Sequence, residues 1–351
     1  MAHSPGVRPA LDDLVRHCHS GLDASDVQTR LLRSLRRVVP ADAAFFATAD
    51  PQTLLFTGAL AEEPLTAATP LFMDNEFAGT DVNTFAGLAT GAAHVASLDS
   101  VTGGDRGSSA RYREIMRPLG LGDELRVALV LGSQCWGYLC LHRADGPKGF
   151  SERELALVAA AAPHLAHALR QAVLMQRPAS AADARGPGVV VLNDDLSLVA
   201  ITEQAAQLLT RIEARPSFPL PLCVYAAAMA LRAIEDGSAA PETMPITRVL
   251  ARDGAWLAVH ASRLSGPPGE QRITIVVEQA DATSTVSLRL SAYGLSHREA
   301  EVATLVLRGT ATRGISAALH ISEHTVQDHL KSVFDKVGVR SRRELIGLML
   351  S

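Results

Sequence analysis

Three polar side chains near the carboxyl end of the chain have the types and the spacing needed to read the edges of DNA bases. Gln327, Asp328 and Lys331 occupy positions i, i+1 and i+4 of one segment, which places them on one side of a helix. In the major groove an amide suits adenine, a carboxylate accepts from cytosine, and an ammonium donates to guanine. These three residues are therefore the candidates for base readout.

The element that must present these groups is an amphipathic helix over residues 322–337. Ser322 is placed to cap its amino end, and Gly338 to end it. At 100° per residue, the apolar side chains fall within an arc of roughly 100°. They are Val326, Leu330, Val333, Phe334 and Val337. This stripe predicts a buried face opposite the polar triplet.

Three shorter helices are predicted around this element. A capping box, Ser296 with Glu299, opens the first. The second spans residues 312–320 and is joined to the next helix by only three residues, which makes a helix-turn-helix. Ser341 is expected to cap the last helix, 342–350. The side chains that the second helix is expected to bury are Ile315, Ala318 and Leu319.

Positive charge is concentrated around the 322–337 helix. Residues 290–351 contain eight basic and six acidic side chains, whereas the whole chain has a net charge of −4. Because phosphate neutralisation supplies most of the non-specific affinity for DNA, this distribution favours a nucleic-acid interface. The alternative is a helical module that contacts protein rather than DNA.

This region resembles the LuxR/NarL-type DNA-binding domain of bacterial transcription regulators. The segments that carry the resemblance are 294–302, 319–322, 325–331 and 334–342. Two positions depart from the pattern, since Gly314 stands where glutamate is usual and Ser316 where alanine is usual. The resemblance implies an all-α domain of four helices over residues 290–351, with double-stranded DNA as its partner and Gln327, Asp328 and Lys331 at the base-reading positions.

Contacts to the DNA backbone should position the recognition helix without reading sequence. The candidates for these phosphate contacts are Thr325, Lys336, Arg340 and Arg342. One helix-turn-helix reads few base pairs, so a homodimer on two half-sites is expected. It would form through the last helix or through an alanine-rich helix over residues 155–169. The last helix offers Leu345, Leu348 and Met349.

Residues 1–175 resemble a GAF sensor domain. Two helices precede a pair of strands around Asp50-Pro51, and a loop-rich stretch follows over residues 62–123. A hairpin over residues 125–142 and a helix with a capping box at Ser151 close the region. The resemblance implies either a pocket for a small-molecule effector or a module that only dimerises and signals. No ligand-binding residue is assigned.

A second sensor region is predicted after a linker over residues 176–188, whose composition is typical of linkers. Residues 189–280 resemble a PAS-type domain, because two strands, helices and three strands follow one another, with Asp253-Gly254 as a hairpin turn. Residues 281–289 would connect it to residues 290–351. The predicted fold class is α+β multidomain: GAF-like and PAS-like antiparallel sheets followed by an all-α domain.

Length and composition agree with this organisation. The chain of 351 residues is 47% hydrophobic and 20% charged, which is typical of two or three globular domains. The first nine residues lack the apolar core of a signal peptide. The longest charge-free apolar runs, 155–169 and 216–231, are shorter than the ~20 residues of a membrane span. We therefore expect a cytoplasmic protein without a membrane partner.

No cysteine or histidine spacing is typical of a metal site. Cys135 and Cys140 are five residues apart on a predicted strand, so they should point to opposite faces. Neighbours in the segment 17–19 do not converge on one point. His164 and His167 share a helix face but lack a third ligand. We expect no metal, no cofactor and reduced cysteines.

No motif of a common enzyme class is present, because the sequence lacks a P-loop, H-E-x-x-H, G-x-S-x-G and a dinucleotide fingerprint. A phosphorylated receiver domain would require a regular alternation of parallel strands and helices. The sequence around Asp12-Asp13 and around Asp194-Asp195 does not show this alternation. No catalytic residue is assigned. The expected function is effector-controlled transcription regulation, with RNA polymerase as a further partner. The competing function is a sensor or partner-binding protein whose C-terminal helices form an interaction platform.

Overall fold

The computed structural model describes residues 7–21, 27–175, 186–213, 219–239, 243–266 and 271–350. The chain divides into two compact units, one ending at Gln279 and one beginning at Ala280. The first unit contains two five-stranded antiparallel sheets, and the second is helical. The predicted α+β class is therefore confirmed.

The first sheet follows the element order expected for residues 1–175. Its strands are β1 (Ala43–Ala49), β2 (Phe56–Ala61), β3 (Val95–Ser97), β4 (Leu121–Leu131) and β5 (Gln134–Ala144), in the order β2-β1-β5-β4-β3. Its helices are α1 (Val7–Cys18), α2 (Val27–Arg36), α3 (Leu65–Ala78), α4 (Phe85–Thr90), α5 (Leu98–Thr102) and α6 (Glu152–Met175). Short helical turns lie at Arg106–Ser108, Tyr112–Met116 and Arg117–Leu119.

The second sheet has the same relative strand order as the first. Its strands are β6 (Gly188–Asn193), β7 (Leu198–Ile201), β8 (Ile246–Leu250), β9 (Trp256–Leu264) and β10 (Arg272–Gln279), in the order β7-β6-β10-β9-β8. Between β7 and β8 lie α7 (Glu203–Ile212) and α8 (Leu222–Glu235). Two strands, helices and three strands are the predicted element order, while the PAS-type assignment stays a prediction.

Helix α8 is buried on two sides and joins the two sheets. Cys223, Val224 and Ala227 lie in the hydrophobic core of the second sheet. Ala226 and Met229, on the other side of the helix, lie in a core shared with the first sheet. The two regions predicted as separate sensor domains therefore share buried apolar surface and belong to one compact unit.

A β-bulge in the β4–β5 hairpin corrects the prediction for Cys135 and Cys140. Ala128 pairs with Tyr138, but two residues later Val130 pairs with Cys135, three residues back along β5. The extra residue reverses the alternation, so both cysteines lie in the same core cluster instead of on opposite faces. Gly137 is needed there, because a Cβ at this position would lie 2.4 Å from the carbonyl oxygen of Ala47.

The alanine-rich helix α6 packs within its own chain against β4 and α1. Its capping box is present: Ser151 Oγ accepts from Glu154 N at 3.4 Å, and Glu154 Oε2 accepts from Ser151 N at 2.9 Å. His19, just beyond the end of α1, lies beside His164 and His167 of α6. The sequence did not predict this third histidine. Its Nε2 lies 3.1 Å from His164 Nδ1, and its ring centroid lies 4.4 Å from that of His167.

The two predicted linkers have different outcomes. Most of the first linker, residues 176–185, lies outside the described residues, and Gly188 already belongs to β6. The second, residues 281–289, is helical: it lies in α9 (Ala282–Ala292), which Asp281 caps by accepting a hydrogen bond from Ser284 N at 2.6 Å. In the part of the chain that the structure describes, no helix is long and apolar enough to cross a membrane.

Candidate nucleic-acid interface

The C-terminal unit contains the helix-turn-helix that the sequence predicts. After α9 follow α10 (His297–Leu307), α11 (Thr312–Leu319), α12 (Glu323–Val337) and α13 (Arg342–Leu350). The capping box of α10 is present in both directions, between Ser296 and Glu299. Ser322 caps α12 by accepting from Thr325 N at 3.0 Å, and Gly338 ends it in the left-handed conformation.

The apolar stripe of α12 forms the centre of the C-terminal core. Four of its five predicted members are buried, namely Val326, Leu330, Val333 and Val337. Phe334 is only half-buried and packs against the edge of this cluster. On α11, Ile315 is buried as predicted, whereas Ala318 is exposed and Leu319 half-buried, because this short helix presents only one residue fully to the core.

The turn between α11 and α12 depends on Ser316, one of the two departures from the family pattern. Its hydroxyl donates to the carbonyl oxygen of Ile321 at 2.6 Å, and Ile321 N donates back to the Ser316 carbonyl at 3.2 Å. Between them His320 adopts φ 54°, a conformation that histidine tolerates better than most residues. The serine hydroxyl therefore adds a hydrogen bond that closes the turn before α12.

The three candidates for base readout lie on the exposed face of α12. Gln327 donates a long hydrogen bond of 3.4 Å to Thr312 Oγ1. Asp328 lies 3.7 Å from His324 Nε2, so its neighbour on the helix surface is a histidine and not a lysine. Lys331 is exposed and has no polar partner among the described residues. The structure thus places all three on the solvent side, opposite the core.

The four candidates for phosphate contacts have different surroundings. The Thr325 hydroxyl lies 2.8 Å from that of Ser322. Arg342 donates to Thr310 O at 3.2 Å and to Thr312 Oγ1 at 2.8 Å, so its guanidinium holds the start of α11. Lys336 Nζ lies 2.6 Å from Glu299 Oε2. The remaining candidate is Arg340, whose side chain is exposed and has no polar partner within the described residues.

Glu299 holds α12 against α10, a role that the sequence suggested only as a helix cap. Its carboxylate accepts from Ser332 Oγ, Lys336 Nζ and Ser296 N, each at 2.6 Å. Burial opposes its ionisation, but the hydrogen bonds from Lys336, Ser332 and Ser296 outweigh burial and lower the pKa of Glu299 from 4.5 to about 2. The carboxylate is therefore charged at neutral pH, and its two helix-α12 partners orient the exposed face.

Helix α9 covers the side chains that α13 was expected to offer to a second subunit. Leu345 and Met349 are buried in the C-terminal core, and Leu348 is half-buried. Arg289 of α9 donates to Met349 O at 3.0 Å and to Leu348 O at 2.7 Å. Because the side chains of Leu345 and Met349 are buried within one chain, the expected dimer contact through them is corrected to a core contact.

Comparison with known proteins matches two regions of the chain to families. Residues 294–349 match "Bacterial regulatory proteins, luxR family", and residues 23–169 match "GAF domain". The "Probable HTH-type transcriptional regulator GfsR" of Streptomyces halstedii is 31% identical over 94 residues, which are 26% of this chain and 39% of that protein. The chain therefore spans well under two thirds of this relative.

A smaller relative is covered more completely. The "Spore germination protein GerE" of Bacillus subtilis (strain 168) is 36% identical over 52 residues, which are 15% of this chain and 70% of that protein. Among solved structures, the phycoerythrobilin-bound GAF domain of a cyanobacterial phytochrome is 14% identical with a TM-score of 0.35, covering 50% of this chain and all of that one. The geometry of α11 and α12 and the match over residues 294–349 lead to one conclusion: the chain belongs to the luxR family of bacterial regulatory proteins.

Proposed function

We propose that this chain is a DNA-binding transcription regulator that inserts the exposed face of α12 into the major groove. The observation that carries the proposal is the position of Lys331. It projects from a helix whose opposite face is buried and lies beside Gln327 and Asp328, and no described residue occupies its ammonium. An ammonium left free in this way is available for a guanine edge.

We assign base readout to Gln327, Asp328 and Lys331 and backbone contact mainly to Arg340. Thr325, Lys336 and Arg342 remain candidates for phosphate contacts, but each already has a polar partner within the domain. Lys336 keeps 38% of its side chain exposed, so one ammonium hydrogen can face a phosphate while another binds Glu299. In this proposal Lys336 acts chiefly by orienting α12, and Arg342 by holding the start of α11.

We further propose that the regulator acts as a homodimer and that the N-terminal unit controls it in response to an effector. The support for dimerisation is physical: one recognition helix contacts only a few base pairs, and two half-sites are needed for useful specificity. The support for effector control is the match to the GAF domain over residues 23–169. Light scattering of the full-length protein at micromolar concentration, with and without operator DNA, tests the dimer, and a monomer under both conditions contradicts it.

The experiment that tests DNA recognition starts with selection of binding sites from random duplexes by the full-length protein. The selected duplex is then titrated with wild type and with Lys331→Ala, using fluorescence anisotropy. We expect the variant to bind about 5- to 150-fold more weakly, corresponding to ~1–3 kcal/mol, and to lose discrimination at one base pair. The loss should concern specific binding much more than binding to random duplex.

Lys148→Ala is the matched control, because it removes the same charge from an exposed position in the N-terminal unit. It should bind the selected duplex as the wild type does. If selection enriches no sequence, or if Lys331→Ala matches Lys148→Ala in affinity and base preference, the proposed readout is wrong. The competing interaction-platform function would then be favoured.

A further inference from the structure

A carboxylate, a thiol and an imidazole meet on the β4–β5 hairpin of the first sheet. Glu124 and His142 are direct cross-strand neighbours, and Cys140 lies two residues before His142, on the same face of β5. The Cys140 Sγ lies 3.2 Å from Glu124 Oε1 and 3.1 Å from His142 Nε2. Glu124 Oε1 and His142 Nε2 are 3.7 Å apart. One atom of each residue therefore converges on a common point.

These separations are close to the edges of a metal coordination sphere. Tetrahedral zinc with bonds of about 2.0–2.3 Å to oxygen, nitrogen and sulfur places its ligand atoms about 3.3–3.6 Å apart. All three side chains are buried, so solvent does not hold them in this arrangement. Shifts of a few tenths of an ångström would convert the triangle of Oε1, Sγ and Nε2 into one face of a tetrahedron.

The surroundings of the triangle hold the Glu124 carboxylate in place. Arg111 donates to the other carboxylate oxygen, Glu124 Oε2, at 2.8 Å, which leaves Oε1 directed at the triangle. His142 directs its Nε2 at the triangle, and an imidazole nitrogen is the commonest metal ligand in proteins. Arg126 lies 3.0 Å from Oε1 but also binds Glu76 at 2.6 Å, a partner it keeps if a metal takes Oε1.

The balance of buried charge favours a cation at this place. The ion-pair network around Glu124 contains three carboxylates and two guanidiniums, with every side chain at most 8% exposed. They are Glu76, Asp81, Glu124, Arg111 and Arg126. The network thus carries one net negative charge in a buried region, where Asp81 is stabilised by hydrogen bonds from Asn75, Ser109 and the backbone N–H of Arg111. A divalent cation bound with a Cys140 thiolate makes the network neutral.

A small cavity adjoins the three ligand atoms. It has a volume of about 40 Å³ and is lined by all three residues, by Arg126 and Glu76, and by mostly apolar side chains of β1, β2, α3 and α4. This is room for at least one water molecule. Three protein ligands with a fourth position open to water is the coordination of zinc sites that exchange a ligand, whereas purely structural zinc sites are closed by four protein ligands.

We propose that Glu124, Cys140 and His142 bind one divalent transition-metal ion, with Zn²⁺ as the probe, through Oε1, Sγ and Nε2. The fourth coordination position faces the cavity. Binding replaces the proton of the Cys140 thiol, which passes to solvent, and forms a metal–sulfur bond with no change in oxidation state. The proposal is independent of DNA recognition, because metal binding is measured on the protein alone.

The first test is cobalt substitution of full-length protein that has been stripped with a chelator. One equivalent of Co²⁺ should produce visible ligand-field bands and a near-ultraviolet thiolate-to-cobalt band, and Zn²⁺ should abolish both. In Cys140→Ser the thiolate band should disappear, and Zn²⁺ affinity should fall at least about tenfold, the loss that follows removal of even a residue that merely supports a ligand. His142→Gln should weaken binding similarly.

Cys135→Ser is the matched control, because Cys135 is buried in the same strand and the same core but stands outside the triangle. It should keep the thiolate band and the stoichiometry. Far-ultraviolet circular dichroism shows whether each variant is folded. X-ray absorption of zinc-loaded wild type requires no variant and should show one sulfur with two or three nitrogen or oxygen neighbours. Absence of Co²⁺ binding by the wild type, a thiolate band that survives in Cys140→Ser, or a zinc shell without sulfur would each overturn the proposal.

Discussion

Asp50 and Arg248 form a two-point ion pair between the two sheets of the N-terminal unit, although 198 residues separate them. Arg248 donates from Nε to Oδ2 and from its terminal nitrogen to Oδ1, both at 2.8 Å, and its backbone N–H adds a third bond at 3.0 Å. The side chains are 0% and 8% exposed. Every polar atom of the carboxylate thus has a partner, which a buried charge requires.

Asp50→Asn should destabilise the N-terminal unit by about 3–5 kcal/mol, because it removes one charge of a buried ion pair held by two side-chain hydrogen bonds. Both tryptophans, Trp136 in β5 and Trp256 in β9, lie in this unit, one in each sheet, so urea unfolding followed by tryptophan fluorescence reports on it selectively. Asp253→Asn is the control, because the ion pair of Asp253 with Arg211 lies at the surface. Such a pair contributes at most ~1 kcal/mol to the free energy of unfolding. Equal midpoints for the two variants would refute the role of the buried pair.

Arg340→Ala should reduce the salt dependence of DNA binding. If its exposed guanidinium neutralises one phosphate, the slope of log K against log salt should become shallower by about one unit. Anisotropy titrations from low to moderate salt measure the slope. Arg252→Ala removes the same group from an exposed position in the N-terminal unit and should leave the slope unchanged. A slope for Arg340→Ala equal to that of the wild type would show that Arg340 points away from DNA.

Phe334→Ala should destabilise the C-terminal unit less than truncation of a fully buried phenylalanine. A buried phenylalanine costs about 3–5 kcal/mol, and the half-buried position of Phe334 lowers the expectation to about 2 kcal/mol. Leu330, which is 2% exposed, should cost about as much or more when changed to alanine, despite its smaller side chain. Circular dichroism is the suitable signal, because this unit contains no tryptophan. A larger loss for Phe334→Ala than for Leu330→Ala would place Phe334 in the core after all.

Glu299→Gln should make the C-terminal unit less stable at pH 7 but less sensitive to acid. The folded pKa of Glu299 is lowered from 4.5 to about 2, so its contribution is present above pH 4.5 and is lost as the pH falls toward about 2. With allowance for the partly exposed Lys336, we expect a difference of about 2 kcal/mol at pH 7.

That difference should shrink between pH 4.5 and pH 2, because only the wild type gains a proton on this residue. Chemical unfolding by circular dichroism across this range measures it. Glu301→Gln, on the same helix and one third exposed, is the control and should show little difference at any pH. A wild-type advantage that stays constant down to pH 2 would contradict the lowered pKa.

Most of the secondary structure could be predicted because its signals are local. The capping boxes at Ser296 and Ser151, the Ser322 cap and Gly338 each mark a helix end through hydrogen bonds within a few residues. The alternation and turn signals of β8, β9 and β10 likewise predicted those strands within a residue or two. The linker 281–289 failed, because α9 gains its stability from Arg289 and α13, nearly 60 residues away.

The site residues that depend on local sequence signals could likewise be predicted, whereas those that depend on distant partners could not. The polar face of α12 follows from the helical period, so Gln327, Asp328 and Lys331 could be named in advance. Lys336 could not be distinguished from Arg340, because its partner Glu299 lies on another helix. Cys140 and His142 stood two apart on a predicted strand, but Glu124 lay one residue outside the predicted partner strand, so the triangle was missed.

The sequence by itself therefore determined the family, the recognition helix and its exposed face, because periodicity, caps and turns act over one or two turns of chain. Only the tertiary structure decided which charges are free and which are occupied. Asp50 forms an ion pair with Arg248, and Lys336 forms one with Glu299. Glu124 lies beside Cys140 and His142. The physical reason is that a side chain's charge and hydrogen bonds depend on neighbours that only strand register and helix packing bring within a few ångströms.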